Sequence, residues 1–235
     1  MMGNRSGMPK GTLKYWFSGQ DAPVNGAWQD RVSNLRFVLY KNDSTSGADS
    51  LWNQEQGWYE FYGAIGNYAH LPNMNDANLN MGHHWRLEFD LELNGSLTNS
   101  VFLDFGSVTS ARKAIGFSLI SKDIDYPNGR MTINWKMLGN SSNPGLYTVD
   151  APYLISDEDI YKPYSGYYAM LDGGDGYDRA HLLLNGASKV VQIQVPKVEY
   201  GPTWNLARAY MGRGLAGNNY YANVRIKDLK IYVID

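Results

Sequence analysis

Several stretches of the chain alternate strictly between apolar and polar residues. In residues 85–93 every odd position is apolar and every even position is charged. Residues 130–137 and 191–195 alternate in the same way. Because successive side chains of a β-strand point to opposite faces, this period of two predicts strands with one buried side and one solvent-facing side.

Shorter apolar runs predict further strands, and the C-terminal strand carries an irregularity. In Asn223–Ile234 the apolar residues fall on even positions up to Ile226 and on odd positions from Leu229. One additional residue near Asp228 would restore the register, which predicts a β-bulge. The shorter strands are Leu13–Phe17, Leu35–Tyr40, Trp58–Tyr62, Val101–Phe105, Ile115–Ser121, Arg179–Leu184 and Leu206–Met211.

Turn residues separate these strands and indicate the fold class. Asn-Gly pairs at 94–95, 128–129 and 185–186 predict hairpins, because both residues tolerate positive φ. About eleven short strands with almost no helical periodicity favour an all-β, two-sheet antiparallel jelly-roll sandwich, with the last strand closing near the first. Ser156–Tyr161 is the one helix-like turn. Residues 41–57 and 139–166 are predicted as long loops, and residues 1–12 as an arm preceding a single domain, 13–235.

Composition and charge exclude several classes of protein. A net charge of −2 without a Lys/Arg cluster argues against nucleic-acid binding. The absence of cysteine excludes disulfides, thiol nucleophiles and thiolate metal sites. The first residues lack the apolar segment of a signal peptide, and no apolar run is long enough to span a bilayer, so no membrane association is expected.

Short phrases along the chain resemble, in order, those of the laminin-G-like or concanavalin-A-like jelly-roll domains. Tyr62 and Asn67 stand where that family usually has acidic residues. The resemblance implies a jelly roll whose relatives include glycan-binding domains, adhesion modules, virion fibre and decoration proteins, and some glycosidases. The phrases are Leu13–Gly19, Asn25–Asp30, Phe61–Tyr68, Trp85–Leu91, Leu183–Gly186 and Val224–Tyr232.

The carboxylates Glu88, Asp90 and Glu92 form the sharpest enzymatic lead. Alternate positions of a strand share one face, and retaining glycosidases use two carboxylates on either side of the scissile bond. The laminarinase and lichenase families, which share the suggested fold, use an E-x-D-x-E strand of this kind. Their usual flanking Trp-Pro and Gly are absent here, and alternating charges also suit the solvent face of any strand. We therefore predict a protein that is not an enzyme, with a retaining glycosidase as the alternative.

A tyrosine-rich segment is the leading candidate for binding a glycan or a protein partner. Tyrosine offers a flat apolar ring and a hydroxyl at low entropic cost, which suits sugar stacking and protein contacts. Six tyrosines crowd 22 residues, and two more lie in the last predicted hairpin. The candidates are Tyr147, Tyr153, Tyr161, Tyr164, Tyr167, Tyr168, Tyr220 and Tyr221.

Candidates for cofactor binding are few. Asp172, Asp175 and Asp178 could supply oxygen ligands for Ca²⁺, although their spacing is not that of an EF-hand. The G-x-G-x-x-G run at 212–217 is followed by a strand rather than a helix, which excludes a dinucleotide site. The four histidines lack zinc-ligand spacing. No cofactor other than Ca²⁺ is expected.

These observations together predict a non-catalytic recognition or assembly protein. A glycan-binding or adhesion role, or decoration of a virion such as a phage capsid, at a virion or extracellular surface, fits the resemblance and the lack of a signal peptide. The expected partners are a glycan, other structural proteins of an assembly, and further copies of the chain.

Overall fold

The chain forms an antiparallel β-structure throughout the part that can be described. The structure is a computed structural model and describes residues 10–61, 66–71, 79–82, 84–93, 101–109, 113–125, 130–138, 153–155, 163–172, 174, 177–184, 193–196, 204–206, 208–213 and 224–234. Within these ranges one short 3-10 helix, Ala48–Leu51, accompanies the strands. The strands are β1 (Thr12–Ser18), β2 (Ala27–Gln29), β3 (Arg36–Tyr40), β4 (Trp52–Asn53), β5 (Trp58–Phe61), β6 (Tyr68–Leu71), β7 (Leu79–Gly82), β8 (His84–Leu93), β9 (Val101–Thr109), β10 (Lys113–Asp125), β11 (Arg130–Leu138), β12 (Tyr153–Ile155), β13 (Pro163–Asp172), β14 (Tyr177–Leu184), β15 (Ile193–Pro196), β16 (Trp204–Leu206), β17 (Arg208–Met211) and β18 (Val224–Ile234).

Two eight-stranded sheets carry the fold. The first has the order β15-β14-β13-β8-β18-β5-β4, with β1 also paired to β18. The second has the order β12-β11-β10-β9-β17-β6-β3-β2, and β7 pairs with β16 in a separate ribbon. Large apolar side chains from the two sheets meet in one interior, so the predicted all-β sandwich is confirmed.

Aromatic rings join the two sheets in this interior. Phe17 of the first sheet meets Phe37 of the second edge to face, with ring centroids 4.8 Å apart. Trp28 of the second sheet stacks on Tyr59 of the first at 4.3 Å. The buried polar atoms of both rings have partners, since Trp28 Nε1 donates to the Ser18 carbonyl at 2.9 Å and the Tyr59 hydroxyl donates to the Asp21 carbonyl at 2.8 Å. The core therefore buries large aromatic surface without leaving these donors unsatisfied.

The centre of the first sheet follows the sequence-based expectation closely. β8 pairs with β18 along nearly its whole length, and the register shifts between Ile226 and Asp228. This shift confirms the predicted bulge, which lets β18 keep apolar residues on its inner face before and after Lys227. β1 pairs with the second half of β18, so the first and last strands lie side by side as predicted.

Two of the three predicted hairpins are confirmed, and one is wrong. β10 pairs with β11, and β14 with β15, as the Asn-Gly pairs at 128–129 and 185–186 predict, although these two pairs themselves lie outside the described residues. β8 and β9 lie in different sheets, so the pair at 94–95, which lies outside the described residues, does not join two paired strands. A turn signal alone does not report which sheet the next strand joins. Asn25 and Gly26 form a further two-residue turn with positive φ, closed by the Val24–Ala27 bridge.

The predicted loop at 139–166 is partly wrong, because it contains β12 and the start of β13. β13 lies between β8 and β14 within the first sheet. Its sequence has aromatic or apolar residues at both odd and even positions, so it lacks the alternation of apolar and polar residues that marks the other strands. The loop at 41–57 contains a turn, the 3-10 helix and β4. The arm up to residue 9 and the turn Ser156–Tyr161 lie outside the described residues.

Candidate functional site

Glu88, Asp90 and Glu92 lie together on the outer face of the first sheet, as their spacing predicts. The odd-numbered neighbours of these residues in β8 are buried in the core, whereas the three acidic residues are half-buried. On the neighbouring strand β18, Lys230 stands opposite Glu88 and Arg225 opposite Glu92. Each glutamate therefore faces a cation across the ladder, whereas Asp90 faces Asp228.

Both glutamates of this row take part in ion pairs. Arg86 Nε lies 2.9 Å from Glu88 Oε1, and Arg225 Nη2 lies 3.1 Å from Glu92 Oε1. The side chains of Glu88 and Glu92 are only 17% and 20% exposed. The Arg225–Glu92 ion pair also links strand β18 to strand β8. These contacts give the glutamates a structural role that does not depend on a substrate.

Cations cover two of the large rings on the same face. The Arg31 guanidinium lies 4.2 Å and the Lys230 ammonium 4.9 Å from the Trp16 ring centroid. Arg86 lies 4.3 Å from the centre of the Tyr232 ring. Cations placed in this way gain from the ring quadrupole and stabilise this face of the sheet.

The outer face of the second sheet has a different character, because its rings pack against one another. Tyr40 on β3 is paired with Tyr68 on β6, and His70 on β6 with Tyr210 on β17. The Tyr40 and Tyr68 rings stack at 4.7 Å with an interplanar angle of 9°, and the His70 and Tyr210 rings stack at 4.1 Å with an angle of 6°. Tyr68 and Tyr210 are 5.9 Å apart, which joins the two stacks. We call these four residues the tyrosine–histidine platform.

Arg213 borders the platform immediately after β17. Its guanidinium lies 4.7 Å from the Tyr68 ring centre and 5.8 Å from that of Tyr210. Gly212 has φ +82°, and a Cβ at this position would come within 2.8 Å of Phe61 Cβ. Only glycine permits the backbone to turn at this point and bring Arg213 over the rings.

A tight turn places Asp43 beside Arg213. Asn42 and Asp43 both have positive φ, at 51° and 58°, which is uncommon for residues other than glycine. The Asn42 N–H donates to Asn67 Oδ1 at 3.1 Å, and the Asp43 N–H donates to the Gly66 carbonyl at 2.9 Å. Asp43 Oδ1 lies 3.5 Å from Arg213 Nη1. The turn therefore holds a carboxylate at the edge of the platform.

The platform combines three chemical capabilities. The edges of its stacked rings carry hydroxyl and imidazole groups that can hydrogen-bond a sugar. Tyr210 and His70 carry groups that can donate or accept a proton. Arg213 supplies a fixed positive charge. Burial raises the pKa of Tyr68 to about 12, and the nearby Arg213 charge partly offsets this rise. Tyr68 therefore stays neutral at physiological pH.

The raised pKa of Tyr68 predicts a loss of stability at alkaline pH. Since the pKa in the folded state exceeds the ordinary value of 10.0, the contribution of Tyr68 is fully present below about pH 10 and is lost as the pH rises through about 12. Burial also raises the pKa of Tyr59, so the deprotonation of either tyrosine should lower the Tm of the wild type. In Tyr68→Phe the Tm should fall less steeply in thermal melts across this range. An identical slope in both proteins would contradict the assignment.

The predicted tyrosine cluster is divided by the fold. Tyr153 lies in β12 at the edge of the second sheet, whereas Tyr164, Tyr167 and Tyr168 lie in β13 of the first. Residue 167 stands opposite Glu88 in the β8–β13 ladder. These positions do not form one loop surface. Tyr147, Tyr161, Tyr220 and Tyr221 lie outside the described residues.

The candidate calcium ligands lie at the β13–β14 hairpin. Asp172 and Asp178 pair across the two strands, and Asp172 Oδ1 accepts a hydrogen bond from the Gly174 N–H at 2.7 Å. Asp175 lies outside the described residues. Among the residues that are described, no group of three or more His, Asp or Glu side chains could hold a metal ion. Calcium binding stays a prediction.

The platform is the arrangement that sequence reasoning missed. Tyr40 and Tyr210 lie in predicted strands, at positions of the solvent-facing phase. Large rings at the polar positions of two strands indicate a functional face, because packing in the core does not explain why aromatic residues occur on the outer face of a sheet. β6, which carries the other two platform residues, was not among the predicted strands.

In the described part of the chain, no helix has the length and apolar character needed to cross a membrane.

Comparison with known proteins finds similarity at the level of the fold. No protein-family model matches the chain, and no curated protein sequence is similar to it. A Trypanosoma rangeli sialidase in complex with 2,3-difluorosialic acid has a TM-score of 0.58 at 12% identity, covering 99% of this chain and 33% of the sialidase. The same sialidase in complex with sialic acid has a TM-score of 0.55 at 12% identity, covering 95% of this chain and 31% of that chain. A mutant of the alginate lyase Aly36B in complex with alginate tetrasaccharide has a TM-score of 0.51 at 11% identity, covering 97% of this chain and 98% of the lyase.

These matches show a shared fold and correct one prediction. The chain spans about a third of the sialidase and nearly all of the alginate lyase. The sialidase and the alginate lyase that share its fold are enzymes, which contradicts the prediction that the chain is not an enzyme. The rings that meet on the second sheet come from distant segments of the sequence, so no short motif indicated chemistry there.

Proposed function

We propose that this chain is a carbohydrate-active enzyme that binds a glycan over the tyrosine–histidine platform. The observation that carries the proposal is the packing of four rings from three neighbouring strands into two parallel stacks beside a guanidinium. Rings stacked in this way face one another, so their edges line the outer face, and ring edges with hydroxyl and imidazole groups can hydrogen-bond the hydroxyls of a sugar.

The platform also offers groups for bond cleavage. When a glycosidic C–O bond breaks, the leaving oxygen keeps the electron pair and must take up a proton. The Tyr210 hydroxyl is suited to donate it, and His70 is suited to hold the Tyr210 ring in place through their parallel stack at 4.1 Å. Both hydrolysis and elimination require this proton, so the arrangement is compatible with either.

The fold supports a carbohydrate-related role without deciding the reaction. The sialidase and the alginate lyase with this fold have been solved in complex with sialic acid and with an alginate tetrasaccharide. Their low identity leaves the substrate of this chain open. The proposal therefore rests on the platform residues themselves.

A second candidate is the glycosidase that uses Glu88 and Glu92. It is favoured by one specific observation, which is that the E-x-D-x-E residues share an outer face. Against it stand the ion pairs with Arg86 and Arg225, which already engage both glutamates. The location at a virion or extracellular surface and the formation of oligomers also remain predictions.

A polysaccharide panel separates the two candidates. Purified protein is incubated with neutral and acidic polysaccharides, and new reducing ends and unsaturated products are both measured. We expect cleavage of at least one polysaccharide by the wild type and by Glu88→Gln, because Glu88 pairs with Arg86 away from the platform. Cleavage that is abolished in a folded Glu88→Gln variant would favour the glycosidase. A wild type that neither cleaves nor binds any polysaccharide would refute the proposal.

A further inference from the structure

We infer that Arg213 recognises the carboxylate of an acidic sugar and that Asp43 occupies the place of that carboxylate while the site is empty. This inference rests on the proposed function, since it names the class of substrate that the platform takes. It also assigns roles to two residues that lie 170 positions apart in the chain.

Arg213 is held in a position suited to an anionic group on a bound sugar. The Tyr68 and Tyr210 rings support its guanidinium at 4.7 and 5.8 Å, and Gly212 fixes the backbone before it. Its side chain is 18% exposed, so the charge is held in place yet still reaches solvent. A guanidinium placed in this way can bind a carboxylate through two parallel hydrogen bonds.

Asp43 makes a looser contact with Arg213 than Asp21 makes with Arg31. Asp43 is 53% exposed and its oxygen lies 3.5 Å from the guanidinium. By comparison, Arg31 binds Asp21 through two contacts of 2.6 and 2.8 Å. A long contact to an exposed carboxylate contributes little energy and is readily exchanged for another.

The turn at Asn42 and Asp43 makes this contact specific to the site. Both residues hold positive φ, and a Cβ on Gly66 would lie 2.5 Å from the Asp43 nitrogen, so the turn packs closely against the platform strand β6. Backbone conformations of this kind persist where the surroundings enforce them. The turn keeps a carboxylate near Arg213, and a sugar carboxylate has to displace it.

The ligand class is therefore a sugar that carries a carboxylate on its ring. Uronic acids and sialic acids share this group, and binding measurements distinguish them. Calorimetric titrations would use alginate tetrasaccharide, sialyllactose and the neutral cellotetraose. We expect one of the two acidic ligands to bind at least about tenfold more tightly than cellotetraose, in keeping with a charge-assisted hydrogen bond.

Variants on both sides of the pair test the inference. Arg213→Gln should lose the preference for the acidic ligand, and Arg213→Lys should keep part of it. Asp43→Asn should bind the acidic ligand about two- to fivefold more tightly, because a competing carboxylate is removed. Arg31→Gln is the matched control, since Arg31 also lies over an aromatic ring beside an aspartate, and it should leave binding unchanged.

The outcomes separate this inference from the proposed function. If wild type and a folded Arg213→Gln variant show the same ratio of acidic to neutral affinity, the inference is overturned while glycan binding stands. Weaker binding of the acidic ligand by Asp43→Asn would refute the placeholder role of Asp43. If the wild type binds none of the three ligands and cleaves no polysaccharide, both the inference and the proposed function fall.

Discussion

Replacement of Tyr210 by phenylalanine is expected to lower kcat on the cleaved polysaccharide about a hundredfold or more, with KM changed by less than about threefold. The substitution removes one oxygen and keeps the ring that stacks on His70 at 4.1 Å. If the hydroxyl protonates the leaving oxygen, its loss affects the transition state far more than substrate binding. Steady-state kinetics on the polysaccharide identified in the panel would measure both constants.

Tyr232→Phe is the matched control for this experiment. Tyr232 lies on the outer face of the first sheet, where its ring carries the Arg86 guanidinium at 4.3 Å. Its hydroxyl has no role in the proposal, so kcat should stay within about twofold of the wild type. A Tyr210→Phe variant that raises KM alone would show that Tyr210 binds substrate without transferring a proton.

Replacement of Trp28 by alanine should reduce the free energy of unfolding by about 3–5 kcal/mol. Trp28 is fully buried, stacks on Tyr59 and meets Phe17 at 5.8 Å, so it joins the two sheets at the centre of the core. The substitution leaves a large cavity and removes the donor to the Ser18 carbonyl. Chemical denaturation monitored by circular dichroism measures the change.

Trp58→Ala provides the comparison for this stability prediction. Trp58 is half-buried on the outer face of the first sheet, where it lies 5.9 Å from Arg225 and 5.8 Å from Lys227. Removing it opens no cavity between the sheets, so the loss should be less than half of that for Trp28. Equal losses for the two variants would contradict the placement of Trp28 at the centre of the sandwich.

The strands that could be predicted from the sequence are those with one buried face and one solvent-facing face. β8 and β18 alternate between core and charged residues, so their existence and the bulge at Lys227 follow from the pattern. β13 lies between two strands of the first sheet and carries aromatic or apolar residues in both phases, so no alternation marked it. The hairpin expected at 94–95 failed because a local turn signal contains no information about sheet membership.

The candidate site was harder to predict for a related reason. Glu88, Asp90 and Glu92 follow one another on a single strand, so their common face is visible in the sequence. The platform is assembled from β3, β6 and β17, whose adjacency depends on the register between distant segments. Arg213 and Asp43 meet only because this register brings the turn after β3 beside the end of β17. Non-local pairing of this kind leaves no short motif.

A crystal structure with the best-binding oligosaccharide tests the central claim most directly. We predict electron density for sugar rings against Tyr40 and Tyr210, with a sugar carboxylate within hydrogen-bond distance of Arg213 and Asp43 turned away. Sugar bound instead across β8, in contact with Glu88 and Glu92, would contradict the account and transfer the function to the first sheet.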